Sequence, residues 1–582
     1  ASMFVIDATL QSGASMQEVE RVVAETLSAL AARGPSAREL TRARALAVTR
    51  LTSSLQNVGA FGGVADTLNH YNVFYDDPGK LGWDVARLAA VTPASLQRAV
   101  RTWLDTPNRL VLRFRPEASA RPTTPAPDRT KPPALGADQL FRPPAVQSAR
   151  LDNGLEVFVV ERHELPLVTA GIVSRAGSVV DPPGKEGLAG WVTSSMGRGT
   201  RRLGALALDD AFGALGTALH ARTMLEYATQ AVEVQRAQLG AALALVAEVT
   251  RQPRFAEDEL ARARRLQREA VEQAVSDPSE LRRRLRARFA FGAAHPYGRP
   301  TFGFPRTIDG FTRDDAVRLH AAQWTPGGAA LIFVGDVTLA DARRLAEQTF
   351  GSWRGAGPAP IEIPPAAPIA RGKVVLVDRP GAAQTVIAHL YDAPRQKAAD
   401  FYPLLLVSDV LGGNASGRLY ANLRQDKGYT YGVGCGLVPA AGPMTWFAQL
   451  AVQTDKTAPA VTELRAELSN IAGARPIGAN ELEAARLGRI RNYAAGFGTH
   501  TDVAMQVADL WARRWPMDEL VRAPEALMRA SLSEVNAAAA RYAAPADAAL
   551  LLIGDRGKIE APLRALKKVE IVVVDVEGNP VR

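Results

Sequence analysis

Seven histidines are scattered along the 582 residues: His70, His163, His220, His295, His320, His389 and His500. No two stand three or four apart. A helix grips a metal with two imidazoles only when they share a face at that spacing, so no such pair exists here. The single cysteine, Cys435, excludes an internal disulfide and any cysteine-rich metal site. It stands in the apolar stretch 432–437 and reads as a small strand residue rather than a nucleophile. The densest charge is Arg282, Arg283, Arg284, Arg286 and Arg288. Those side chains point around a helix rather than along one stripe, and no aromatic stacking set is interleaved. The segment reads as a solvated helix, with an acidic partner as the lesser reading. His295-Pro296-Tyr297-Gly298 reads as turn and packing chemistry.

Composition sets the frame for these residues. Hydrophobic content of 47% with 22% charged residues is that of a globular protein, and the length suits three or four domains. The net charge of +9 is spread thinly over the chain. No apolar run approaches the roughly 18 residues of a membrane span.

One pattern recurs three times, Glu-Leu-x-x-x-Arg: Glu39-Leu40 with Arg44, Glu259-Leu260 with Arg264, and Glu481-Leu482 with Arg486. The intervals, 220 and 222 residues, are too long for a solenoid repeat of roughly 20 to 50 and point to a duplicated domain. Residues 18–44 lie over 460–486 without a gap. Upstream, 4–11 lies over 446–453; downstream, Leu110–Phe114 plays the part of Leu550–Ile553. Residues 1–117 therefore read as the second half of a module whose first half is absent, with strands expected at 4–11 and 110–114.

Proline runs mark linkers at 118–145 and 358–370. Between and after them stand two complete modules, 146–357 and 371–582. The first opens with the turn Asp152-Asn153-Gly154 and the strand Leu155–Val160; the second opens with the strand Lys373–Asp378. Each closes on an apolar strand ending in Gly-Asp, Gly335-Asp336 and Gly554-Asp555, and residues 571–574 add a short strand. Strand groups separated by long helices predict an α+β fold: duplicated modules of antiparallel-rich sheet with helices packed on one face.

This arrangement resembles the insulinase/pitrilysin family of zinc metallopeptidases, whose H-x-x-E-H motif binds zinc through two histidines and uses the glutamate as general base. The motif's surroundings survive in Gly187–Thr200. Gly190 stands at the first histidine, Thr193 at the glutamate and Ser194 at the second histidine. Glu269 or Glu272 falls near the third-ligand position but reads as helix-surface charge. The resemblance thus implies no metal ligand, no catalytic residue and no cofactor in this chain, with zinc in the intact protein or a partner.

In the last module, 411–432 resembles the family's non-metal half. Arg424 and Tyr431 meet its seven-residue spacing, and the resemblance implies a substrate-binding pair. Arg can fork to a peptide carbonyl, and a phenol can donate to the oxyanion forming at the scissile bond. The plainer reading is a helix-end salt bridge and a core aromatic. Arg418 and Tyr429 are less specific, and Tyr429 replaces Tyr431 if the strand register differs.

The expected role is the non-metal-binding portion of a zinc endopeptidase. It would hold peptides or unfolded polypeptide for a zinc module upstream or on a partner chain, and be inactive alone. The alternative is a catalytically inactive binding or scaffolding subunit. A bacterial origin and a periplasmic or secreted location are expectations of the same resemblance.

Overall fold

The computed structural model describes residues 4–8, 10, 15–59, 62–106, 109–113, 141–358, 361–366, 371–413, 415–545, 547–566 and 570–581. The 118–145 linker lies outside them except for its last five residues, as do 359–360 and 367–370 of the second. The chain divides into two compact units, Ala1–Leu55 with Gly59–Leu140, and Gln56–Val58 with Phe141–Arg582. Among the described residues no helix is long and apolar enough to cross a membrane.

The first unit has five helices: α1 (Met16–Arg33), α2 (Ala37–Ser54), α3 (Val64–Tyr75), α4 (Leu81–Ala90) and α5 (Pro93–Trp103). Ser36 and Glu39 close a capping box on α2, and Thr92 with Ser95 does the same on α5. No strand forms among its described residues. The expected strands at 4–11 and 110–114 form no regular structure where described, with Phe4, Val5, Leu110 and Leu112 exposed. The physical reason is partnership: a strand is stabilised by the ladder beside it, and this unit offers none.

The second unit is a tandem pair. Its first half runs β1 (Gln147–Arg150), β2 (Glu156–Glu161), β3 (Leu167–Ser174), α6 (Leu188–Met196), α7 (Ala205–Ala214), β4 (His220–Thr223), β5 (Ala228–Gln235), α8 (Leu239–Arg251), α9 (Glu257–Ser276), α10 (Pro278–Phe291), α11 (Pro305–Asp309), α12 (Arg313–Gln323), β6 (Ala329–Gly335) and α13 (Leu339–Phe350). Its second half runs β7 (Lys373–Asp378), β8 (Gln384–Ala393), α14 (Phe401–Ser408), the single turn α15 (Arg418–Tyr420), β9 (Thr430–Val438), β10 (Met444–Gln453), α16 (Thr457–Ala472), α17 (Ala479–Tyr493), α18 (His500–Arg513), α19 (Glu519–Arg529), α20 (Leu532–Tyr542), β11 (Ala549–Gly554), α21 (Arg556–Ala565) and β12 (Glu570–Val574). The five helices α16–α20 are the counterparts of α1–α5, in the same order.

The two sheets share one topology, β1-β2-β6-β3-β5-β4 and β12-β7-β11-β8-β10-β9. In the first only β2 and β6 run parallel; in the second β12, β7 and β11 do. The outer position beside β2 is filled by β1 from upstream, and that beside β7 by β12 from the tail. Mixed, antiparallel-rich sheets in duplicate agree with the α+β expectation.

Each sheet also carries helices of its own half on one face, as expected, while its opposite face is covered from the other half. Val157 and Val159 point into a core with α6, α8, α9, α12 and α13, while Phe158 and Val160 point to the opposite face. That face is covered by Val503, Val507 and Trp511 of α18, from the other half. The second sheet receives the reciprocal cover: Leu281, Leu285 and Phe289 of α10 pack on Val375, Val386, Leu390 and Leu551. Burial of each such side chain contributes about 2 kcal/mol. The unbroken apolar runs 374–377 and 550–553 carry this signal, because a strand buried on both faces loses its polar alternation.

Candidate functional site

The stretch that matches the metal motif forms α6. Its N-cap, Gly187, has φ +93°, and an added Cβ would lie 2.6 Å from the Phe302 backbone, so glycine is required. Asp181 accepts the amides of Gly187 and Ala189, both at 2.7 Å. Burial pushes its carboxyl up to about 8 against these two amides, which favour the charged form.

The three motif positions do not converge on a shared point. A side chain at Gly190 would meet the Phe302 ring 3.1 Å from its Cβ. Thr193 is buried, its carbonyl accepting from Gln230 Nε2 at 2.6 Å, and its hydroxyl has no partner. Ser194 faces solvent and donates to the Trp191 carbonyl at 3.0 Å. Glu272 is exposed and pairs with Arg268 at 3.0 Å, and Glu269 is half-buried on the same helix. Among the described residues no three His, Cys, Asp or Glu side chains gather as a metal site. A glycine, a sequestered threonine hydroxyl and an exposed serine are not a donor set for zinc.

Arg424 and Tyr431 do meet. The chain from α14 to β9 passes through two π-helical turns, Asp409–Gly413 and Ala421–Asp426, and Arg424 stands in the second. Its guanidinium carbon lies 4.4 Å from the centroid of the Tyr431 ring, a cation–π stack. The Tyr431 side chain is 84% exposed, so it is not a core aromatic.

A bulge aims it there. Leu450 pairs with Val433 but Val452 pairs with Thr430, so three steps on β9 face two on β10. Buried Thr430 satisfies the irregular backbone: its hydroxyl donates to the Ala451 carbonyl at 2.7 Å and accepts from the Gly432 amide at 3.2 Å. Tyr429, before the bulge, packs against the core; Tyr431, inside it, turns to solvent. Without the extra residue both would share a face, which is why sequence reading left them interchangeable. Thr430 carried no signal of its own.

Other residues near the pair prove to be framework. Arg418 is 8% exposed and forks to Glu481, with both bonds at 2.7 Å, while also donating to the carbonyls of Arg475 and Pro476. It joins α15 to the start of α17. Cys435 lies in β9 against the core, and burial pushes its thiol well up, away from reactivity. At the far end of the β9–β10 hairpin, Tyr297 donates to Glu226 and accepts from the Gly442 amide at 3.0 Å. Glu226 also accepts the Ala441 amide at 2.9 Å, and His295 stands 3.0 Å from the Pro364 carbonyl. The His-Pro-Tyr-Gly turn of the first half thus clasps the hairpin and the linker of the second.

Comparison with known proteins agrees with this architecture. Residues 157–303 match the family described as insulinase (peptidase family M16), and residues 310–488 match the peptidase M16 inactive domain. An uncharacterized zinc protease of Rickettsia bellii is 24% identical over 340 residues, covering 58% of this chain and 80% of that protein. One of Bacillus subtilis is 24% identical over 287 residues, covering 48% and 67%. Among solved structures, a peptidase M16 inactive domain from Pseudomonas fluorescens superposes with a TM-score of 0.65 at 22% identity, over 71% of this chain and 98% of that one. A protease from Helicobacter pylori gives 0.64 at 21% identity, over 70% and 99%. The two family matches, which between them take in both halves of the tandem pair, place the chain in the insulinase family of peptidases, family M16.

Proposed function

We propose that this chain is the peptide-holding, non-metal portion of an M16 zinc endopeptidase. The zinc module is elsewhere in the intact protein or on a partner chain. One observation supports this most: Arg424 stacked on an exposed Tyr431 at a bulge in an edge strand. Edge strands accept extended peptides through their free backbone groups. A guanidinium can bind the peptide carbonyl, and the phenol can donate to the oxyanion. The residues in α6 supply no ligand set for zinc.

The test is reconstitution with a zinc-bearing M16 module and a fluorogenic peptide. Tyr431→Phe and Arg424→Ala are each expected to lower kcat/KM on the order of 100-fold, the usual cost of one oxyanion donor. Unchanged kcat/KM in both variants overturns the reading. The unfilled motif in α6 favours a second reading, a scaffolding subunit. It predicts a stable complex with the zinc module and cleavage indifferent to both substitutions.

A further inference from the structure

The arginine-rich helix α10 is not a solvated helix. Leu281, Leu285 and Phe289 bury against the second sheet, and of the five arginines only Arg283 is exposed. Arg282 and Arg286, one turn apart, lie on the flank toward β10. Arg282 donates to the Gln449 side chain. The Arg286 guanidinium carbon stands 4.6 Å from the Phe447 ring centroid.

Gln449 and Phe447 are the cross-strand partners of Gly434 and Gly436 on β9. With Gly432, these glycines alternate along the edge strand, so one of its faces carries no side chain from 432 to 436. A Cβ on Gly436 would touch Phe447 at 3.4 Å, and one on Gly434 would touch Gln449 at 3.5 Å. Bare edge backbone therefore runs beside two arginine heads. Glycines in a strand mark places where another backbone can approach closely.

Both heads lack a counter-charge. Among the described residues neither forms an ion pair, and Arg286 has no hydrogen-bond acceptor. Arg283 on the same helix is paired with Glu280. Glu280 and Asp277 act on Arg282 only from a distance, and the charges felt by Arg286 are other arginines. Burial lowers the pKa of both, that of Arg286 to about 10. Half-buried cations without a counter-charge are costly, and an aromatic stack holds a guanidinium fork open for a planar anion.

We propose that Arg282 and Arg286 form a carboxylate-binding subsite on the peptide path that starts at Arg424 and Tyr431. An extended peptide along β9 places an acidic side chain, or its terminal carboxylate, on the two guanidiniums. At roughly 3.3 Å per residue, that carboxylate falls three to five residues from the one at Tyr431. The inference rests on the peptide-holding reading and gives it a charge preference and a register.

Fluorescence anisotropy on the full chain tests it without any cleavage. The probes are labelled octapeptides carrying one Glu at each position, their Gln counterparts, and each with a free or amidated C-terminus. Glu is expected to bind on the order of 10-fold more tightly than Gln at one register, as for a charge-assisted bond. The preference is expected to vanish in Arg282→Gln with Arg286→Gln, and to weaken in Arg286→Lys, which keeps the charge but loses the fork. The amidated arm shows whether a side chain or the C-terminus supplies the carboxylate. Equal affinity of Glu and Gln peptides for the unmodified chain, with no loss of affinity on amidation of the C-terminus, overturns the subsite, and those arms require no variant to fold. If binding then still depends on Tyr431, the peptide-holding reading stands alone; if no octapeptide binds, both readings fall.

Discussion

Arg486 donates to the carbonyl of Ala530 at 2.9 Å. Ala530 immediately precedes Ser531, the N-cap of α20. Arg264 does the same for Phe311, before the cap Thr312 of α12, at 2.8 Å, and Arg44 does it for Val91, before the cap Thr92 of α5. The leucines of the repeat, Leu40, Leu260 and Leu482, are all buried. The recurring Glu-Leu-x-x-x-Arg is therefore a framework device: the leucine anchors one helix, and the arginine fixes where a later one begins. The glutamate's job has diverged. Glu39 and Glu481 cap their own helices, whereas Glu259 keeps a buried oxygen without a partner.

Arg486→Met keeps most of the apolar stem and removes the donor. Leaving the Ala530 carbonyl unpaired costs about 1–3 kcal/mol. A urea titration followed by tryptophan fluorescence is expected to show a lower midpoint, and Arg264→Met should lower it comparably. An unchanged midpoint in both would mean that the clamp contributes nothing to stability.

Thr430→Val is close to isosteric but cannot satisfy the bulge. The Gly432 amide and Ala451 carbonyl lose their side-chain partner, so amide exchange at residues 430–433 should accelerate while the rest of the sheet stays protected. Peptide affinity should fall with it although Arg424 and Tyr431 are intact, and Thr430→Ser should restore both. Exchange unaltered in the valine variant would mean that the bulge stands without the hydroxyl.

His389 sets an acid limit on the fold. It is buried in β8 beside Trp446, ring centroids 5.7 Å apart, and burial pulls its pKa down to about 4. Unfolded, it titrates near 6.5. The unfolded state therefore binds the extra proton first on acidification. The contribution of neutral His389 is fully present above about pH 6.5 and is lost as pH falls toward 4, on the order of 3 kcal/mol in all. Thermal midpoints of His389→Leu should fall less steeply than those of the unmodified chain over that window. Exposed His163, held between Asp336 and Glu161, has a raised pKa and the opposite sign: its contribution is present in acid and fades as pH rises through its folded-state value.

Zinc analysis addresses α6 directly. After dialysis against a weak chelator, the isolated chain is expected to hold no stoichiometric zinc by elemental analysis. A ratio of one zinc per chain would overturn the account of Gly190, Thr193 and Ser194.

Much of the fold was legible in the residues. The repeat located α2, α9 and α17, and the apolar runs located the central strands β2, β6, β7 and β11, because local periodicity and cap chemistry decide those elements. Partnership was not legible. Residues 4–8 and 110–113 have strand-like composition and form none, since a ladder depends on what lies beside it. The arginines of α10 looked solvated because their apolar neighbours, Leu281, Leu285 and Phe289, complete a stripe whose target lies some 90 to 270 residues downstream. At the candidate site, seven-residue spacing brought Arg424 and Tyr431 to notice, but the bulge that separates Tyr431 from Tyr429 comes from one unpaired step in a ladder.

The reciprocal cover of the two sheets, α18 over the first and α10 over the second, bears on how such a chain can evolve. A gene holding only one half would make a sheet with an apolar back and a surplus helix carrying an apolar stripe, a product prone to aggregate. Once the halves interlock, fission or loss of a single half is therefore selected against. The smallest piece that can be discarded safely is the interlocked pair. Within that pair a half without metal ligands still has a reason to be retained, because it covers its neighbour's apolar sheet face.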